Sequence, residues 1–203
     1  IDAPKAQVGF SAVAVRAPEA DGGAAILKRE PRRLDLSAIA KGLGVDQIYA
    51  LLDDQGYANF LVEIGGEVRV KGDKDGLGWK IAVEKPIKGE RAVEQVLSLK
   101  NVALATSGDY RNYREIDGVA YSHTIDPSTG RPVTHQLASV TVADSECAKA
   151  DGWATTLLVL GPDKGYELAV SRKIPAMFIE RSGDTFIVKQ TPRFERLLAG
   201  EVK

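Results

Sequence analysis

Between Asn59 and Thr106 five short strand patterns follow one another with no helical pattern among them: Asn59 to Ile64, Glu67 to Lys71, Trp79 to Glu84, Glu94 to Leu99 and Val102 to Thr106. Strands joined by so few residues pair antiparallel, because a parallel return needs a crossover of about a dozen residues or more. Gly65-Gly66 joins the first two tightly. Arg111 to Ile116 and Val119 to Thr124, joined by Asp117-Gly118, carry the strongest short hairpin signal in the chain. Further strand patterns cover Val8 to Arg16 and Ala24 to Arg29, separated by Asp21-Gly22-Gly23, and Leu137 to Ala143. A last hairpin, Ala176 to Glu180 and Thr185 to Lys189, turns at Ser182-Gly183-Asp184.

Helical patterns stand apart from these strands. In the first, Asp35 or Ser37 caps the start, Ile39, Leu43, Ile48, Leu51 and Leu52 recur at near-helical spacing, and Gly56 closes the helix. Gly42 and Gly44 each cost about 1 kcal/mol against Ala in a helix interior, so a close backbone approach is expected there. A second helix runs from about Ser145 to Leu160 and ends at Gly161, and a third starts at Pro162 and reaches about Arg172. This grouping predicts an α+β fold, mainly antiparallel sheets with packed helices. At 203 residues and 44% apolar content, the chain reads as one domain with a sizeable core.

Composition removes several classes of function. A formal net charge of -1, with no basic stripe carrying interleaved aromatics, provides no footprint for nucleic acid. The single cysteine, Cys147, excludes an internal disulfide and a cysteine-cluster metal site, and reads as a small buried hydrophobe. No apolar run approaches the roughly eighteen residues of a membrane span. Trp79 and Trp153 read as core or rim packing. The chain opens on Ile1 with a strand pattern from Val8, which reads as a start inside a fold or after processing.

Four groups of residues can carry chemistry. Asp151 and Thr155, four apart on one helix face, offer a carboxylate and a hydroxyl suited to a hard cation such as Mg²⁺; the alternative is a solvated face or a local hydrogen bond. The stretch Asp35 to Gly42, with Lys41, has the form of an anion site at a helix start, or of an N-cap followed by a surface lysine. Neither a P-loop nor a dinucleotide fingerprint is present. His123, at a strand end between Ser122 and Thr124, can serve as a general base or as a structural hydrogen-bonder. His135 fits the structural role better. Thr106-Ser107-Gly108-Asp109 ends a strand and offers hydroxyls and amides to a phosphate or flavin ring, or is simply a turn.

Together and in this order, the stretches Asp35-Leu-Ser-Ala-Ile-Ala-Lys-Gly42, Leu61-Val-Glu-Ile-Gly-Gly66, Ala105-Thr-Ser-Gly-Asp-Tyr110, Ser122-His-Thr-Ile-Asp-Pro-Ser-Thr-Gly130 and Ala150-Asp-Gly-Trp-Ala-Thr-Thr156 resemble the ApbE family of flavin transferases. The resemblance implies a T-fold-like architecture, FAD as substrate, Mg²⁺ as cofactor and transfer of FMN to a threonine of a target protein with release of AMP. It implies FAD contacts from Asp35, Lys41 and Ile125, with Thr106, Ser107 and Gly108 beside them. Mg²⁺ would be held by the Ala38 carbonyl, Asp151 and Thr155, and His123 would be the base. Ala154 stands where some relatives carry a further acidic ligand.

The resemblance also implies a periplasmic setting with an inner-membrane anchor in the full-length protein, and a target in a membrane redox complex. The N-terminal part of the family is absent from this sequence and is a candidate partner segment. Two other activities fit the same residues: a Mg²⁺-dependent FAD pyrophosphatase yielding FMN and AMP, and a non-catalytic flavin-binding module.

Overall fold

Short strand patterns without intervening helices do build antiparallel sheet. The computed structural model describes residues 8–17, 23–87, 89, 92–109, 113–116 and 119–200, with only the backbone at 113–116 and 119–121. After a 3-10 turn at Phe10–Ala12 come β1 (Val13–Arg16), β2 (Ala25–Lys28), helix α1 (Ala40–Asp54), β3 (Phe60–Ile64), β4 (Glu67–Lys71), β5 (Trp79–Glu84) and β6 (Val93–Leu99). Next are β7 (Val102–Gly108), β8 (Tyr113–Ile116), β9 (Val119–Ser122), β10 (Ile125–Asp126), β11 (Arg131–Pro132) and β12 (Leu137–Asp144). Helices α2 (Cys147–Leu160) and α3 (Pro162–Ser171), strands β13 (Ala176–Ser182) and β14 (Thr185–Gln190), and helix α4 (Pro192–Leu198) complete the described chain.

One sheet has the order β14-β13-β12-β7-β4-β3, with every neighbouring pair antiparallel. The pairs β1–β2, β5–β6, β8–β9 and β10–β11 are separate ribbons. Both faces of the large sheet are covered. Ala105, Val140, Val142 and Phe178 pack under Ala150, Ala154, Leu157 and Leu158 of α2 and Ala169 of α3. On the other face, Val68, Val70, Leu104, Met177 and Ile179 meet Val83, Leu97 and Leu99 of the β5–β6 ribbon and Phe194 of α4. Leu137 joins the same core cluster as Val140, three residues on, because the β12–β13 register shifts between Leu137 and Ser139 and changes which residues face the helices. Trp153 and Trp79 pack against the two clusters, as core or rim residues would.

Helix α1 departs from expectation in its buried face. Of its residues only Gly42 and Val45 are buried; of the five that mark the helix in sequence, Ile39, Leu43, Ile48 and Leu51 are exposed, and only Leu52 packs, with Tyr49, against Val45, Phe60 and Val62. The cause lies in β4, which turns Glu67, Arg69 and Lys71 toward α1; these pair with Lys41, Asp46 and Asp53 of the helix. The face of α1 toward the sheet therefore carries these charges beside Val45, Tyr49 and Leu52. Its start is also later than expected. Ile39 is the N-cap and, being aliphatic, makes no side-chain cap bond, while the Asp35 carboxylate is engaged in the preceding turn by the N–H and O–H of Ser37. The far end follows the sequence: Gly56, with φ 83°, donates to Asp53 O while Tyr57 donates to Leu52 O, the paired bonds of a glycine-terminated helix.

The α2–α3 boundary falls at Gly161-Pro162 as expected, and the last hairpin turns at Gly183. Helix α4 has no counterpart in the sequence reading, although Thr191-Pro192 carries the same start signal as Gly161-Pro162. The Asp117-Gly118 turn lies outside the described residues; the strands flanking it, β8 and β9, do pair.

Candidate active site

The large sheet splits, and the split makes a cleft. β4 pairs with β7 only from Val68↔Leu104 to Val70↔Val102, whereas β12 follows β7 as far as Gly108↔Ser139. Beyond Leu104 the β3–β4 hairpin and β7 part, leaving Thr106, Ser107 and Gly108 to line the gap. The cleft measures about 830 Å³ and is also lined by Lys41 of α1, Asp151 and Thr155 of α2, Lys80 and Glu84 of β5, and His123. This volume suits a cofactor-sized ligand.

The α2 wall is set by a close helix contact. Asp151 is 3% exposed, and its Oδ2 accepts the N–H of Gly42 at 3.0 Å. Only glycine permits this approach, since a Cβ at position 42 would lie 2.4 Å from the carbonyl oxygen of Cys147. The backbone approach expected at Gly42 is thus to α2. Burial raises the Asp151 carboxyl above its ordinary 3.8, opposed by the Gly42 N–H and the charge of Lys41. A solvated face is therefore not what Asp151 occupies. One turn on, Thr155 Oγ1 lies 3.0 Å from Ser107 Oγ, while Thr106 Oγ1 bonds Thr141 Oγ1 at 2.8 Å across the ladder. Cys147, at the start of α2, is buried as expected, and burial pushes its thiol up to about 12, so it is inert at neutral pH.

The α1 wall holds a residue that sequence reasoning missed. Glu67, the first residue of β4, is 1% exposed and its Oε2 lies 2.6 Å from Lys41 Nζ. Burial raises its carboxyl, Lys41 lowers it, and the charge of Asp151 raises it further. In sequence Glu67 shows only as an acid directly after Gly65-Gly66, sharing strand parity with Arg69; its burial follows from α1 folding over that face. Lys41 itself stays exposed while its ammonium is held by this buried carboxylate.

His123 follows β9 and faces the cleft, exposed. Its segment is fixed by local bonds: Thr124 N–H donates to Ser122 Oγ, Val133 N–H to Thr124 O, and the Asp126 carboxylate accepts from Ser128 to close the Asp-Pro turn. His135 lies elsewhere, at the α2–α3 junction, where a Cβ on Gly161 would come within 2.8 Å of its ring. Neither of its ring nitrogens has a hydrogen-bonding partner among the described residues, so the expected hydrogen-bonding role is not found.

The cleft gathers Lys41, Thr106, Ser107, Gly108, His123, Asp151 and Thr155. Three other candidates fall outside its lining. Asp35 is exposed and engages Ser37, which does line the cleft; the Ser37 hydroxyl and N–H hold its carboxyl below the ordinary value. Ala38 is half-buried in the turn before α1, and Ile125 is exposed in β10 opposite Pro132.

Residues 1–178 match the ApbE family. The chain belongs to that family. A relative from Vibrio cholerae serotype O1, described as FAD:protein FMN transferase, is 48% identical over 167 residues, covering 82% of this chain and 50% of the relative. A Haemophilus influenzae protein of the same description is 47% identical over 166 residues, covering 81% and 48%. Among solved structures, the apo flavinyl transferase ApbE of Pseudomonas stutzeri superposes with a TM-score of 0.83 at 38% identity, covering all of this chain and 61% of that one. The chain thus spans about half the length of the curated ApbE relatives it matches.

The oxygen groups of the ApbE cleft fit a hard divalent cation. A buried carboxylate with one helix N–H bond stands one turn from a hydroxyl, and burial alone disfavours its charge, a penalty that a cation relieves. Among the described residues no three His, Cys, Asp or Glu side chains form a metal cage. A cation here would therefore complete its shell from hydroxyl, carbonyl, water and ligand oxygens.

Proposed function

We propose that this chain carries the reaction cleft of a Mg²⁺-dependent flavin transferase, which moves FMN from FAD onto a threonine hydroxyl of a protein acceptor and releases AMP. The observation that carries the proposal is the juxtaposition, in one cleft, of Lys41, the buried Asp151 with Thr155, and His123. The relatives' description as FAD:protein FMN transferase supports FAD and a protein acceptor as substrates.

In this mechanism Lys41 and the β7 end, Thr106 to Gly108, bind and orient the FAD pyrophosphate. Asp151, Thr155 and the Ala38 carbonyl would hold Mg²⁺, which when bound offsets negative charge on the phosphates. An imidazole nitrogen of His123 takes the proton of the acceptor hydroxyl. The threonine oxygen then bonds to the FMN-side phosphorus, the bridging P–O bond breaks, and AMP departs with the electron pair. A periplasmic location, an inner-membrane anchor and an acceptor in a membrane redox complex belong to the same proposal. No helix among the described residues is long and apolar enough to cross a membrane.

The test is intact-mass analysis of a threonine-bearing acceptor domain incubated with the protein, FAD and Mg²⁺, with an EDTA control. A metal-dependent gain of one FMN phosphoryl group is the expected result. FMN and AMP released without an adduct would replace transfer by FAD pyrophosphatase activity. Unconsumed FAD in every arm would leave a flavin-binding module.

A further inference from the structure

We infer that Glu67 is a positioning residue for Lys41, fixing the lysine ammonium at the cleft wall where it meets the pyrophosphate of the bound dinucleotide; this rests on the transferase function proposed above. Three ion pairs join α1 to β4, and the one at the cleft differs from the others in sign and burial. In Arg69–Asp46 and Lys71–Asp53 the strand supplies the base, with exposures of 20%/13% and 28%/43%. In Lys41–Glu67 the strand supplies the acid, which is 1% exposed, while the lysine remains 46% exposed. A pair built only to join helix and sheet has no need to bury one partner and leave the other open to a ligand cavity.

The local backbone serves the same arrangement. Gly65 has φ 59°, and a Cβ there would lie 3.4 Å from Lys41 Cδ, so the aliphatic stem of the lysine runs across the hairpin turn to reach Glu67. The Gly66 N–H donates to Glu63 Oε1 at 3.0 Å and fixes that turn. An ammonium has three N–H donors. With Glu67 anchoring the ammonium from the buried side, donors remain for an anion on the cleft side. Lys41 also acts electrostatically on Asp151, so the same cation stands against both buried carboxylates of the site.

Glu67→Gln keeps the shape and removes the charge, and Glu67→Asp keeps the charge and shortens the reach. FAD binding is measured by flavin fluorescence in the presence of Mg²⁺, alone and in a Lys41→Met background. In the parent background Glu67→Gln is expected to weaken FAD binding by about tenfold, the scale of one charge-assisted hydrogen bond. In the Lys41→Met background it is expected to have no further effect, which a general loss of packing would not reproduce. Equal weakening in both backgrounds, or none in the parent, overturns the assignment.

A second readout does not depend on FAD. The acylation rate of Lys41, followed by peptide mass spectrometry, should rise in Glu67→Gln and rise less in Glu67→Asp; an unchanged rate in a folded variant also overturns the assignment. Should Glu67→Gln fail to fold, the Glu67→Asp variant carries both measurements. Absence of FAD binding by the unmodified protein counts against the transferase function, and the Lys41 acylation rates then decide the role of Glu67.

Discussion

Helices α1 and α2 meet at one wall of the cleft, yet they are held by different balances of apolar burial and ion pairing. α2 buries Cys147, Ala150, Ala154, Leu157 and Leu158 and sits on the sheet as an apolar element. α1 buries Val45 against Phe60 and Val62, with Tyr49 and Leu52 beside it, and otherwise pairs Lys41, Asp46 and Asp53 with the charged residues of β4, leaving Leu43, Ile48 and Leu51 exposed. Apolar burial resists opening in proportion to area, whereas ion pairs that reach solvent contribute little each and weaken with salt. The site thus joins a firmly seated carboxylate, Asp151, to a lysine on the helix that buries fewer residues. Gly42 is the point at which the two supports become one.

Substitutions that remove one support at a time can break this contrast. The largest loss of stability is expected for Leu157→Ala, about 3 to 4 kcal/mol for a fully buried leucine, read from chemical denaturation. Gly42→Ala forces a methyl group toward the Cys147 carbonyl and should cost about 2 to 3 kcal/mol, with a larger proportional loss of FAD binding than Leu157→Ala. If both variants lose binding in step with stability, the two helices are not supported differently. Asp46→Ala removes the bonds to Arg69 and to the first turn of α2 and should cost about 1 to 2 kcal/mol. Lys71→Met, at a half-exposed pair, should change stability by less than about 0.5 kcal/mol and should lose even that effect in high salt.

The pH dependence sharpens the contrast from the α2 side. Asp151 has a carboxyl raised in the folded state above 3.8, so the folded protein holds its proton to higher pH than the unfolded chain. Its contribution to stability therefore falls as pH rises from the unfolded value through the folded one. Asp151→Asn keeps an acceptor for the Gly42 N–H and removes that charge. Its melting temperature relative to the unmodified protein should increase as pH rises above about 4, and the proposed Mg²⁺-dependent transfer should be lost. A difference independent of pH would mean that Asp151 is not disfavoured by burial.

Much of this was legible because it depends on local chemistry. Tight turns at Gly65-Gly66 and Gly183, the Gly161-Pro162 junction and the Gly56 terminus each need a particular residue where it stands. On α2 the one-turn spacing of Asp151 and Thr155 was legible, but spacing alone left a solvated face or a local hydrogen bond open beside a cation site. What periodicity could not supply is which face of α1 packs, because that depends on Glu67, Arg69 and Lys71 arriving from another strand. The burial of Glu67 was hidden for the same reason: a carboxylate next to two glycines reads as surface until its partner, 26 positions upstream, is folded against it. The split between β4 and β7, which opens the cleft, is a difference in ladder length and leaves no mark on any single residue.

The bond between Asp46 and α2 has a consequence for how the protein breathes. Glu146 provides no side-chain cap, and the amides of Cys147 and Ala148 donate instead to the two carboxylate oxygens of Asp46, each at 2.9 Å. These protons are lost to solvent only when α1 swings away, since their acceptor belongs to it. Deuterium uptake at Cys147 and Ala148, ordinarily the frayed end of a helix, thereby becomes a clock for the opening of its neighbour.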